Sequence, residues 1–83
     1  MSTPPKPEFT EKQGQYLAFI YLYTKLNKQP PAHADIKRYF EVTPPTINSM
    51  LVRLDQLGLI RRQPGRARSI EVLVPPDGLP ALR

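Results

Sequence analysis

The first regular pattern along the chain is the 3.6-residue spacing of an amphipathic helix, which predicts a helix over residues 11–27. Its stripe comprises Tyr16, Leu17, Ile20, Tyr21 and Thr24. Thr10 followed by Gln13 is typical of a capping box, in which each residue's side chain bonds the other's backbone N–H. Pro30 and Pro31 prevent the helix from continuing.

A shorter helix is predicted over residues 33–40. Ile36 and Phe40 stand one helical turn apart, and Asp35 falls in the first turn, where the helix dipole favours a carboxylate. Ala32 is a poor N-cap, which counts against this starting point.

A third helix is predicted over residues 43–57, with Thr43 as its cap. Pro44 and Pro45 fit its first turn, because an N–H there has no partner within the helix. Gly58 supplies the left-handed residue that ends many helices. The buried stripe is expected to contain Ile47, Leu51, Leu54 and either Met50 or Leu57.

After Gly58 the pattern changes from helical spacing to alternation. Residues 59–62 and 69–74 predict two strands, joined by a Pro-Gly turn over residues 63–68. The fold class is therefore mainly α with a small β-hairpin. Residues 9–74 are expected to form the domain, preceded by a Pro-rich disordered arm at residues 1–8 and followed by a short tail at residues 75–83.

Composition restricts the chemistry of this domain. Twelve basic and seven acidic residues give a net charge of +5 on 83 residues, which favours a polyanionic partner. The chain has no cysteine and one histidine, His33, so neither a metal site nor a cofactor is expected. The longest apolar run, residues 16–23, is far shorter than the ~20 residues that cross a bilayer. We expect a cytoplasmic protein that neither associates with a membrane nor binds a small-molecule ligand.

The hydrophobic spacing of residues 36–50 is typical of a helix-turn-helix. The second helix of this motif is the predicted helix over residues 43–57. Its outer positions are Thr43, Pro45, Thr46, Asn48, Ser49, Val52 and Arg53. Small polar side chains allow close approach to DNA: Asn48 could pair with adenine, and Thr46 could contact a thymine methyl. The alternative is an ordinary solvated helix face.

Four arginines are concentrated in the predicted hairpin: Arg61, Arg62, Arg66 and Arg68. No acidic residue occurs between Asp55 and Glu71, so this segment is a candidate for contacts with the DNA backbone, together with Arg53. The alternative is a basic loop that serves only solubility.

Three groups of residues resemble the N-terminal DNA-binding domain of the LexA repressor family. They are Gln29-Pro30-Pro31 with Ala34-Asp35-Ile36, Thr43-Pro44, and the segment Leu54-Asp-Gln-Leu-Gly-Leu-Ile60. The resemblance covers residues 9–74 and implies a winged helix-turn-helix, with three helices and a C-terminal wing, that binds operator DNA as a symmetric pair. It also implies that the base-contacting residues are Thr43, Pro45, Thr46, Asn48 and Ser49.

Control and pairing are expected to differ from those of the family. The sequence ends at Arg83 without the family's self-cleaving Ser-Lys peptidase domain, so we expect control through association or abundance. The first helix is apolar nearly all round, and Ala18, Leu22 and Lys25 form a candidate dimer patch, with Tyr21 or Phe19 beside them and the tail residues Leu79 and Leu82 as an extension.

Two function classes remain open at the level of sequence. The first is a sequence-specific transcriptional regulator, in the simplest case a repressor that binds double-stranded DNA. The second is a winged-helix module that binds a protein or structured RNA through its Tyr-rich first helix. An enzyme is not expected, since the sequence has no Gly-rich phosphate loop and no nucleophile–base pair involving His33.

Overall fold

The computed structural model describes residues 9–83, and the arm predicted at residues 1–8 lies outside them. Three helices are followed by a two-stranded antiparallel hairpin. The elements are α1 (Glu11–Asn27), α2 (His33–Phe40), α3 (Pro44–Gln56), β1 (Ile60–Arg61), β2 (Glu71–Val72) and a 3₁₀-helix (Pro76–Gly78). This is the winged helix-turn-helix that the sequence predicts.

Local hydrogen bonds explain where the first two helices begin. The Gln13 N–H donates to the Thr10 hydroxyl and the Thr10 N–H donates to the Gln13 amide oxygen, which confirms the predicted capping box. At the start of α2 the Asp35 carboxylate accepts the Ala32 N–H at 2.8 Å. Asp35 therefore supplies the half of a capping box that bonds the N-cap N–H, whereas the alanine side chain cannot supply the other half.

Thr43 occupies the N-cap of α3 as predicted, but its side chain caps no backbone N–H. Its hydroxyl lies 3.0 Å from the hydroxyl of Thr46. Pro44 and Pro45 have no N–H to offer, so the first turn presents fewer donors to a capping side chain. At the other end, Gly58 has a φ of 75°, the left-handed conformation predicted for the residue that ends the helix.

The core lies between the three helices and the inner face of the hairpin. Its largest fully buried side chains are Tyr16, Leu17, Ile20, Pro31, Ile36, Ile47, Leu51, Leu54 and Ile60. Met50 is half-buried whereas Leu57 is 39% exposed, which decides between the two candidates for the fourth position of the α3 stripe.

The strands are shorter than predicted. Ile60 pairs with Val72 and Arg61 with Glu71, and one further backbone bond joins the Leu73 N–H to the Leu59 carbonyl. Beyond these pairs the Ser69 hydroxyl takes over from the ladder, because it accepts the Gln63 N–H at 3.0 Å. Side-chain bonds thus replace strand pairing where the loop begins.

Residues 79–83, predicted as a short tail with Leu79 and Leu82 available to a dimer patch, pack back against α1. Leu79 and Leu82 contact the core cluster. The Gln15 side chain donates to the Ala81 carbonyl and accepts the Arg83 N–H. The approach is close, since a Cβ on Gly14 would lie 3.0 Å from the Pro80 ring.

Candidate nucleic-acid interface

The polar face of α3 lies open to solvent beside the wing, which we define as residues 60–72. All five predicted base-contacting residues are exposed: Thr43, Pro45, Thr46, Asn48 and Ser49. The buried stripe of Ile47, Leu51 and Leu54 fixes the rotation of α3 and turns these side chains outward.

Two concave surfaces flank this face of α3. On one side Asn48 lines a cleft of about 580 Å³ together with His33 at the start of α2 and Arg66 in the wing. On the other side Thr46 and Ser49 line a shallow groove with Pro45, Arg53 and Gln13 of α1. The exposed polar face of α3 is therefore continuous with the wing on one flank and with the start of α1 on the other.

The wing loop is held together by its own side chains. The Ser69 hydroxyl lies 3.1 Å from the Gln63 carbonyl and 3.0 Å from the Arg66 carbonyl. The Arg66 N–H also donates to the Gln63 carbonyl. These bonds fold the loop on itself and leave the Arg66 side chain exposed, where its guanidinium donates to the Gln63 amide oxygen at 3.2 Å.

The wing arginines differ in what they contact. Arg61 is exposed and pairs with Glu71 on the neighbouring strand at 2.6 Å. Arg62 lies against α3, where its side chain is only 16% exposed and stands 3.7 Å from the Asp55 carboxylate. Within residues 9–83, neither Arg66 nor Arg53 forms an ion pair. These two guanidinium groups are therefore free to bind an external anion.

Two comparisons with known proteins bear on this arrangement. The family model for the LexA DNA-binding domain matches residues 6–69. This chain belongs to the LexA DNA-binding domain family. A LexA repressor from Thermosipho melanesiensis is 35% identical over 66 residues, which is 80% of this chain and 33% of that protein. The chain spans about a third of the length of this curated relative.

Membership in the LexA family makes this chain a winged helix-turn-helix domain of a family of DNA-binding repressors that regulate transcription. None of the helices described in this LexA-type domain is long and apolar enough to cross a membrane. In residues 9–83, no group of three or more His, Cys, Asp and Glu side chains is placed to hold a metal ion.

Arg68 differs most from its prediction as a DNA-backbone contact of the LexA-type wing. Its guanidinium Nη1 lies 3.4 Å from Asp35 Oδ2 at the start of α2. The same nitrogen donates to the Tyr23 hydroxyl of α1 at 3.3 Å and to the Pro30 carbonyl at 3.1 Å. No local pattern in the sequence links Asp35 or Tyr23 to the wing, because these residues lie so far from Arg68 along the chain.

The charges of this cluster stabilise one another. The Ala32 N–H, followed by the Tyr23 hydroxyl and the Arg68 and Arg38 guanidiniums, holds the pKa of Asp35 below its ordinary value against the opposing effect of burial. The Tyr23 hydroxyl, with Asp35, raises the pKa of Arg68. Asp35 is therefore ionised at neutral pH, and its negative charge faces the cationic side chain of the wing.

The predicted dimer patch is only partly accessible in the domain. Ala18 is 2% exposed and belongs to the core, so it is excluded from any such patch. Leu22 is half-buried and Lys25 is exposed. Leu26, which the sequence analysis left out of the patch, is 78% exposed one turn beyond Leu22.

Proposed function

We propose that this domain binds double-stranded operator DNA sequence-specifically, with α3 in the major groove and the wing against the phosphate backbone, and that it thereby represses transcription. The observation behind the proposal is the solvent face of α3, where small polar side chains lie beside a free wing arginine. The family of DNA-binding repressors to which the chain belongs supports the same function.

The shape and chemistry of α3 suit a major groove, which is about 12 Å wide and admits one helix. Ser49 and Thr46 are short, so the helix axis can come close to the base pairs. Asn48 offers an amide that can form two hydrogen bonds with an adenine edge. The exposed start of α3 also brings a positive helix end toward the phosphates.

The free cations define the expected backbone contacts. Arg66 and Arg53 have no acidic partner within residues 9–83, so binding a phosphate breaks no ion pair of the domain. Arg61 must share its guanidinium with Glu71, and Arg62 is largely covered beside Asp55. We therefore assign the strongest phosphate contacts to Arg66 and Arg53.

The proposal includes binding as a symmetric pair to two half-sites. Two residues of the predicted dimer patch, Leu22 and Lys25, are accessible. The exposed Leu26 extends this patch along the same face of α1. An exposed leucine beside a half-buried one supplies apolar area that a second copy can cover.

The alternative of a protein- or RNA-binding surface on the first helix has less support. Tyr16 and Phe19 are buried, and the Tyr23 hydroxyl bonds Arg68. Tyr21, the remaining tyrosine of the first helix, is half-buried. Little aromatic area therefore remains on the outside of α1.

Selection of bound sequences from random double-stranded DNA by the purified protein tests the proposal. We expect enrichment of one motif, and a palindrome if two copies bind. A parallel selection with Asn48→Ala and Ser49→Ala combined should lose the motif while retaining salt-sensitive binding to any DNA. Absence of enrichment with the parent protein would contradict sequence-specific binding.

A further inference from the structure

The wing has few backbone bonds of its own to fix its position on the domain. Each of its strands has two residues, and the loop between them folds around Ser69 without contacting the helices through that side chain. A two-stranded hairpin is marginally stable by itself. Ile60 and Ile70 bury the base of the hairpin in the core, so a separate contact with the helices is needed to hold the loop beyond them in one orientation.

Arg68 supplies the connection. It is the residue before Ser69, and it adopts the left-handed conformation with a φ of 53°, which is uncommon for a residue other than glycine. From there its Nη1 is within 3.4 Å of three oxygens: Tyr23 in α1, Pro30 in the α1–α2 connection and Asp35 in α2. One guanidinium thus joins the wing to two helices and to the segment between them.

Asp35 links this connection to the start of α2. Its Oδ2 atom accepts the Ala32 N–H at 2.8 Å and faces Arg68 at 3.4 Å, so the carboxylate that bonds the backbone at the start of α2 also contacts the wing. The side chain of Asp35 is 15% exposed and that of Arg68 is 37% exposed, so the ion pair is shielded from water only in part. The start of the helix-turn-helix and the wing loop therefore share one anchoring group.

We propose that Arg68 is a positioning residue, which holds the wing against α1 and α2 through Tyr23, Pro30 and Asp35 so that Arg66 meets the DNA backbone while Arg68 itself does not. This inference rests on the proposed function for its consequence in DNA binding. The attachment of the wing can be measured without DNA.

The DNA test compares Arg68→Gln with Arg66→Gln, a matched variant two residues away in the same loop. The dissociation constant is measured on the selected operator over a range of salt concentrations. Arg66→Gln should reduce the slope of log K against log salt by about one unit, because one phosphate contact is lost. Arg68→Gln should weaken binding by roughly fivefold, the value of one partly covered ion pair, and leave the slope unchanged.

The test without DNA measures backbone NMR order parameters of the free protein. In Arg68→Gln the order parameters of the Gly65, Arg66 and Ala67 amides should fall from about 0.85 toward 0.6. The order parameters of the α3 amides should keep their parent values. Tyr23→Phe, which leaves the contacts of Arg68 with Pro30 and Asp35 in place, should produce a smaller change in the same amides and provides a readout if Arg68→Gln unfolds. Asp35→Asn combined with Arg68→Gln should be less than additive, because both changes break one contact.

Each failure has a distinct signature. A unit decrease in the salt slope for Arg68→Gln, with the wing amides unchanged, would show that Arg68 contacts phosphate and would overturn the proposal. Loosened wing amides in a parent protein that selects no DNA motif would uphold the attachment by Arg68 and refute operator binding instead.

Discussion

The rings of Tyr16 and Phe40 stack face to face, with their centroids 4.2 Å apart and their planes 2° from parallel. This contact joins α1 to α2 and places Tyr16 wholly inside the domain. Its hydroxyl is buried and has no hydrogen-bond partner within residues 9–83, and burial raises the pKa of the Tyr16 side chain. The ring therefore stabilises the helix pair, whereas the hydroxyl adds a desolvation cost.

Tyr16→Phe separates these two contributions. Because it retains the stacked ring and removes a buried polar group, the free energy of unfolding should stay unchanged or rise by up to about 1 kcal/mol. Tyr16→Ala removes the ring as well and should lower the free energy of unfolding by roughly 3–5 kcal/mol. Urea unfolding followed by circular dichroism measures both. A loss above about 1 kcal/mol in Tyr16→Phe would show that the hydroxyl is hydrogen-bonded in solution.

The hydrogen bond that Asp35 accepts from the Ala32 N–H, together with its ion pair to Arg68, predicts how stability depends on pH. The pKa of Asp35 is lower in the folded domain than its ordinary value of 3.8, so the folded state gains stability above that value. This gain is lost as the pH falls below about 4 and through the folded pKa. The difference in unfolding free energy between the parent and Asp35→Asn should therefore be largest near pH 6 and shrink toward pH 3. A constant difference over this range would contradict the assignment.

Short-range chemistry made the helix boundaries predictable. The Thr10–Gln13 box, the paired prolines after Thr43 and the left-handed Gly58 each act within one helical turn, so their sequence signals define α1 and α3 directly. The strands were predicted too long. The alternating pattern places residue 69 in the second strand, but the Ser69 hydroxyl bonds the backbone of Gln63 in place of a strand partner.

The candidate site was predictable only where it depends on helical periodicity. The outward face of α3 follows from the buried positions of Ile47, Leu51 and Leu54. The partners of Arg68 could not be predicted in this way, since Tyr23 lies 45 positions away along the chain. Burial of Ala18 was missed for the same reason, because its neighbours depend on how distant segments fold against α1.

Pairing of two domains should depend on the exposed end of α1. We expect the parent to show concentration-dependent association in sedimentation, and Leu26→Asp to sediment as a monomer because a carboxylate there would be buried without a partner. Leu57→Asp is the control, since Leu57 is an exposed leucine at the end of α3 and does not belong to the patch on α1. A parent protein that remains monomeric at all concentrations would contradict pairing through this surface.

Asn48 tests direct base contact most sharply. It is exposed and takes no part in the core, so Asn48→Ala should change the free energy of unfolding by less than about 0.5 kcal/mol. On the selected operator it should cost roughly 1–3 kcal/mol of binding, and the preference for one base pair should disappear. On an operator already changed at that base pair, parent and variant should bind equally, because the contact is absent from both complexes.

Gln56→Ala is the matched control for Asn48→Ala. Gln56 is exposed in the last turn of the same helix, away from the end that we place at the bases, so its removal should leave binding and base preference unchanged. Equal losses on operator and random DNA for Asn48→Ala would show that this amide contacts only the backbone, because a phosphate contact contains no sequence information. Selectivity at one position, with the salt slope preserved, would instead place Asn48 against a base edge while Arg66 binds phosphate.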